Sequence, residues 1–190
     1  MVRTPLSKRI LPNYTRAEDI ANMVTHIVGG GIGIVALVFS VLIAAFHRNV
    51  WGIVGGSIYG FSMVALYTVS SVYHGLRPGM GKKVMQVIDH CTIYFLIAGT
   101  YTPILLSSIR PQFPALAWTI FGIEWGIVAF AVVFTAIDHN KYKKLSMTCY
   151  IGLGWCIVLV LKATVQSMGL SGFLWLIGGG VSYTIGAVLY

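Results

Sequence analysis

Ser70 and His74 stand four residues apart, and Asp89 follows at the head of the next apolar run, so a hydroxyl, an imidazole and a carboxylate can converge at one level. Neutral imidazole is a metal ligand, while a hydroxyl and a carboxylate beside it orient ligands or hold a metal-bound water. The same three groups also make an interhelical hydrogen-bond cluster, and spacing alone leaves both readings open. Glu18, Asn22 and His26 form a second set at i, i+4 and i+8, a drift of only ~80° around a helix. They can face a polar cavity. Equally, Glu18 can serve its helix amino terminus through the dipole, with His26 a hydrogen-bonded interior histidine. An ionisable group among apolar residues costs about 2.5 to 3.5 kcal/mol on insertion scales, so its presence marks function by default.

The elements that carry these residues are apolar almost throughout. Of the 190 residues, 57% are hydrophobic and 9% charged, where soluble domains run at about a quarter charged. Six runs are long enough to cross ~30 Å of hydrocarbon: Ile20 to Phe46, Val50 to Tyr73, Val87 to Ile109, Pro114 to Ile137, Leu145 to Val165 and Ser171 to Tyr190. None alternates as a barrel strand does, and only helices satisfy every backbone group within such segments. The expected fold is therefore all-α, a polytopic transmembrane helical bundle comprising residues 20–190 behind a basic cytoplasmic tail, residues 1–19. The first run is too long for a signal-peptide core.

A formal charge of +8 does not point to nucleic acid, because the basic residues sit singly or in threes in the short connections. Arg3, Lys8, Arg9, Arg16, Arg77, Lys82, Lys83, Lys141, Lys143 and Lys144 fall on one side of the membrane, and Arg48, Arg110 and Lys162 on the other. That bias places the amino terminus in the cytoplasm and sets Glu18, His26, His74 and Asp89 at one level. Cys91, Cys149 and Cys156 lie inside apolar runs, and no disulfide framework follows.

Several segments together carry a resemblance: EDIANMVTH at 18–26, SSVYH at 70–74, DHCTIY at 89–94, AGTYTP at 98–103 and GGGVSYTIG at 178–186. In order and separation they resemble the hemolysin III family, which belongs with the progestin and adipoQ receptors. The resemblance implies a seven-helix protein of a bacterial plasma membrane, with zinc near the cytoplasmic helix ends. His74 would then be a zinc ligand, Asp89 would hold the zinc-bound water and Ser70 would support the site. The family's other two ligands are histidines spaced H-x-x-x-H on a seventh helix. The present sequence has no such pair, and three protein ligands are the norm for catalytic zinc, so a seventh span is expected after Tyr190.

The resemblance also implies the function classes. The leading one is a hydrolase of lipid amides or esters, or a membrane-homeostasis factor, working on lipid-like molecules from the bilayer. The alternatives are a receptor or sensor with structural zinc, and a cytolysin. Oligomeric state is not indicated. Outside these motifs, Glu124 falls mid-span, where a structural hydrogen bond is the favoured reading over a proton path. Gly29 to Gly31, Gly33 and Gly178 to Gly180 signal close helix contact rather than phosphate loops. Pro103 interrupts the third span, and His47 and His139 fall in connections, where a solvated histidine is expected.

Overall fold

Each apolar run folds as a helix, and the helices alternate in direction across one bundle. The structure, a computed structural model, describes residues 3–189; Tyr190, the end of the expected sixth span, and Met1 and Val2 of the expected tail lie outside the described residues. Helix α1 (Arg16–Phe46) packs chiefly on α2 (Val50–Gly75), α2 on α3 (Met80–Pro103), and α3 on α4 (Pro114–Asp138). The chain continues through α5 (Lys143–Gly154), a 3-10 stretch (Cys156–Val160) and α6 (Leu161–Leu189). No strand occurs among the described residues.

Among the described residues, five helical stretches are long and apolar enough to span a membrane, the last being Lys143–Ala187. That stretch covers 45 residues, about 67 Å of helix against ~30 Å of hydrocarbon. It accommodates the fifth and sixth expected runs because the chain turns at Gly169, whose φ of 69° is left-handed and free of penalty only for glycine.

Local sequence accounts for the ends. Thr15 and Glu18 form a reciprocal capping box that starts α1 four residues before the apolar run. Asn49 accepts from the Gly52 amide to start α2. Pro103 ends regular α geometry in α3 and a π-helical turn follows at Ile104–Ile109. α3 begins at Met80, seven residues before the expected Val87, because the polar turns are held by Lys82, which is buried in an ion pair described below.

The core is built around α3. Tyr94, Ala98, Tyr101 and Leu105 pack against Ala117, Ile120 and Val128 of α4 and Tyr150 and Leu153 of α5. Large apolar side chains such as Ile27, Phe39, Phe61, Phe130 and Trp175 are exposed, the arrangement of a lipid-facing surface. Small residues allow close approach where α1, α2 and α3 meet. A Cβ on Gly55 would lie 2.6 Å from Pro103 Cα, and one on Gly60 would lie 2.5 Å from Leu37 Cβ. Gly29 and Gly33 fit the close-contact expectation, facing Tyr67 and Met63. Gly178, Gly179 and Gly180 do not: a Cβ on any of them meets no described atom within 4 Å.

Candidate functional site

Antiparallel connectivity brings the start of α1, the end of α2, the starts of α3 and α5 and the end of α4 to one end of the bundle. His74 lies in the last turn of α2, and its Nδ1 sits 3.0 Å from Asp19 Oδ1. Asp19 Oδ2 accepts from Lys82 Nζ at 2.6 Å. Asp19, His74 and Lys82 are all buried, so one carboxylate ties three helices together. The contact defines the imidazole as well as the packing. Whenever the ring is neutral, Nδ1–H donation to the carboxylate leaves the lone pair on Nε2.

Ser70 lies one turn before His74 on the same face, and Asp89 of α3 neighbours it across the α2–α3 interface. His26 approaches from α1, its ring 5.7 Å from that of His74 and 5.7 Å from Tyr67. Its Nδ1 is buried without a hydrogen-bond partner. Tyr14 closes the group, its ring 5.5 Å from His74.

Ser70, His74, Asp89 and His26 thus come together, with Tyr14, on the wall of one cavity of about 810 Å³. From this polar end the cavity runs past Ile93, Ile97, Tyr101 and Ile104 to Trp175, Leu176 and Tyr183 of α6, and most of that wall is apolar.

Glu18 and Asn22 are placed differently. Glu18 is exposed, and its carboxylate accepts from the Thr15 amide at 2.7 Å and from the Thr15 hydroxyl at 2.9 Å. Asn22 is half-buried, and neither residue lines the cavity.

Asp19 is the residue that sequence reading missed. Its signal was present: Asp19, Asn22 and His26 at i, i+3 and i+7 drift less around a helix than the set beginning at Glu18. The capping box withdraws Glu18 from the bundle and leaves its neighbour facing inward.

A second cluster lies beside the first. His139, expected to be solvated, is only 8% exposed, and its ring centroid stands 3.8 Å from that of His90. The α4–α5 connection folds over α3 here, which removes the solvent the expectation relied on. Burial pushes the His139 imidazole down to about 4, with His90, Lys143 and Arg9 adding repulsion. Glu124 is 1% exposed with neither oxygen hydrogen-bonded, and the Cys156 thiol is its electrostatic neighbour. The structural hydrogen bond expected for it is not formed.

The zinc implied by the resemblance can be tested against these residues. His74 presents Nε2, and Asp89 and His26 stand nearby, yet the described residues contain no group of three His, Cys, Asp or Glu placed to hold a metal ion. Asp19 is committed to His74 and Lys82. The described residues therefore do not complete a zinc site.

Comparison with known proteins adds the family. The family model for haemolysin-III-related proteins matches residues 14–190. The chain is 35% identical over 173 residues to hemolysin-3 of Bacillus cereus, covering 91% of this chain and 78% of that protein. It is 36% identical over 177 residues to the hemolysin-3 homolog of Bacillus subtilis (strain 168), covering 93% and 82%. The human monocyte to macrophage differentiation factor is 29% identical over 196 residues, covering 99% and 76%. No solved structure matches. An all-helical membrane bundle that carries the Ser70, His74 and Asp89 cluster and matches the family model across nearly its whole length belongs to the haemolysin-III-related family, within the progestin and adipoQ receptor superfamily.

Proposed function

We propose that this protein binds a lipid-like amphiphile inside the bundle, with the acyl portion along α3 and α6 and the polar head at Ser70, His74, Asp89 and His26. The observation that carries the reading is the shape of the cavity: about 810 Å³, apolar along most of its wall, and closed at one end by titratable side chains. A volume of this order accommodates a drug-sized or single-chain molecule, and the exposed apolar surface around the bundle supplies bilayer lipids as the nearest source. The polar end offers a hydroxyl, an imidazole and a carboxylate, which suit an amide headgroup that both donates and accepts, or an ester whose carbonyl accepts from the hydroxyl. We place this end at the cytoplasmic face, on the bias of basic residues.

Hydrolysis of an acyl amide or ester is the reaction class that such a bound lipid suits. Zinc would supply the polarised carbonyl and activated water. The ligand set described above is incomplete, so we derive no reaction step through it, and binding is the part of the function that the residues support. A receptor or sensor would use the same cavity without turnover.

The test is lipid retention. Native mass spectrometry of the purified protein should find an acyl lipid bound one to one, and Thr100→Trp or Leu176→Trp, each filling the cavity, should reduce occupancy by about ten-fold, equivalent to ~1.4 kcal/mol. A protein free of lipid, or equal occupancy in the filled variants, would remove the reading.

A further inference from the structure

The amino-terminal segment is fastened to the bundle. The Thr4 amide donates to Asp138 Oδ2 at 3.1 Å, Arg9 donates through Nη2 to the Ile137 carbonyl and through Nε to the Thr4 carbonyl at 3.4 Å, and Lys83 Nζ donates to the Ser7 carbonyl at 2.6 Å. Arg9 is 4% exposed, unusual for an arginine in a basic tail. Its Nη2 sits on the Ile137 carbonyl in the last turn of α4, where the helix dipole favours a cation. At the other end of the segment the Thr15–Glu18 capping box fixes the chain's entry into α1. Tyr14, immediately before that cap, forms part of the cavity wall beside His74. Pro5 and Pro12 stiffen the path between.

We infer that residues 4–14 are a lid over the polar mouth of the cavity, latched by Arg9 and Thr4 to the end of α4 and presenting Tyr14 to His74. The lid rests on the reading of that cavity as the lipid site, and it regulates the same site: while latched it shields the polar cluster from water and leaves the bilayer side as the route for an apolar ligand. The latch is separable from the cavity. Its bonds run to backbone carbonyls and to Asp138, none of which lines the cavity.

The experiment reads water access. Ser70→Cys places a thiol on the cavity wall at its polar end, and a charged, water-soluble maleimide is applied to the protein in lipid nanodiscs, which leave both faces open. Labelling at position 70, followed by mass spectrometry, should be slow with the native tail. Arg9→Ala should accelerate it by about ten-fold, the population change expected from losing a charge-assisted hydrogen bond. Thr4→Pro removes the amide donor to Asp138 together with the Thr4 hydroxyl beside it, touches no core side chain, and should accelerate it in the same direction. Equal rates in all three proteins, whether fast or slow, overturn the lid. Lipid content measured on the same three tail sequences with Ser70 retained separates the two readings: absence of lipid in all three tells against the lipid site, while the labelling rates alone decide the lid.

Discussion

At the scale of the residue, Asp19 links His74 to Lys82, and removing it leaves two buried polar groups without their partner. Breaking such a pair from one side costs about 3 to 5 kcal/mol, most of it the stranded charge. Asp19→Ala should therefore lower the thermal midpoint in detergent markedly. Adding Lys82→Met removes the stranded cation and should recover part of the loss, so the double variant should be more stable than Asp19→Ala alone. Additive losses would show that the pair does not act as a unit. His139 sets a pH dependence of known sign. Its folded value near 4 lies below the ordinary 6.5, so the unfolded chain binds the extra proton first. Its contribution to stability is fully present above about 6.5 and is lost as pH falls toward 4. Between pH 7 and 5 the loss should reach about 1 to 2 kcal/mol, and His139→Leu should flatten the midpoint over that interval.

At the scale of the element, glycines divide by what they face. Gly55 lies against the backbone of Pro103, which cannot yield as a flexible side chain does. Gly55→Ala should destabilise by about 1 to 3 kcal/mol through overpacking. A Cβ on Gly178 meets no described atom within 4 Å and Gly178 does not line the cavity, so Gly178→Ala should be neutral or gain up to about 1 kcal/mol from helix propensity. Thermal unfolding of both variants in one detergent checks the contrast, and equal effects would remove the packing account. The α1 start follows similar local logic: the capping box begins the helix in a polar stretch, so the boundary precedes the apolar run that hydropathy would mark.

At the scale of the whole molecule, basic residues gather at the end that carries the amino terminus and the polar cluster. Reporters at the amino terminus and in the Gly79 to Lys83 segment should read cytoplasmic, and one at Arg48 external. An external amino terminus would turn the cavity's polar end outward and overturn the cytoplasmic placement. Zinc is tested at the same scale. Since the described residues assemble no group of three ligands, the 190-residue chain should not retain stoichiometric zinc through dialysis against a chelator. Elemental analysis checks this, and retention would require ligands outside the described cluster.

The amino-acid sequence alone determined the class of molecule and the level at which its chemistry lies. Apolar runs of spanning length admit only helices in lipid, and alternating helices set Ser70, His74, Asp89 and His26 at one end wherever the loops go. These are sums over neighbouring residues, so they can be read without coordinates. Tertiary structure decided what depends on rotation about a helix axis and on contacts between distant segments. It turned Asp19 inward and Glu18 outward, brought His139 against His90, and laid a basic tail across the end of α4. Each choice hinges on which partner a side chain meets across an interface, and one residue's shift along a helix moves a side chain by about 100°, more than the difference between facing a cavity and facing solvent.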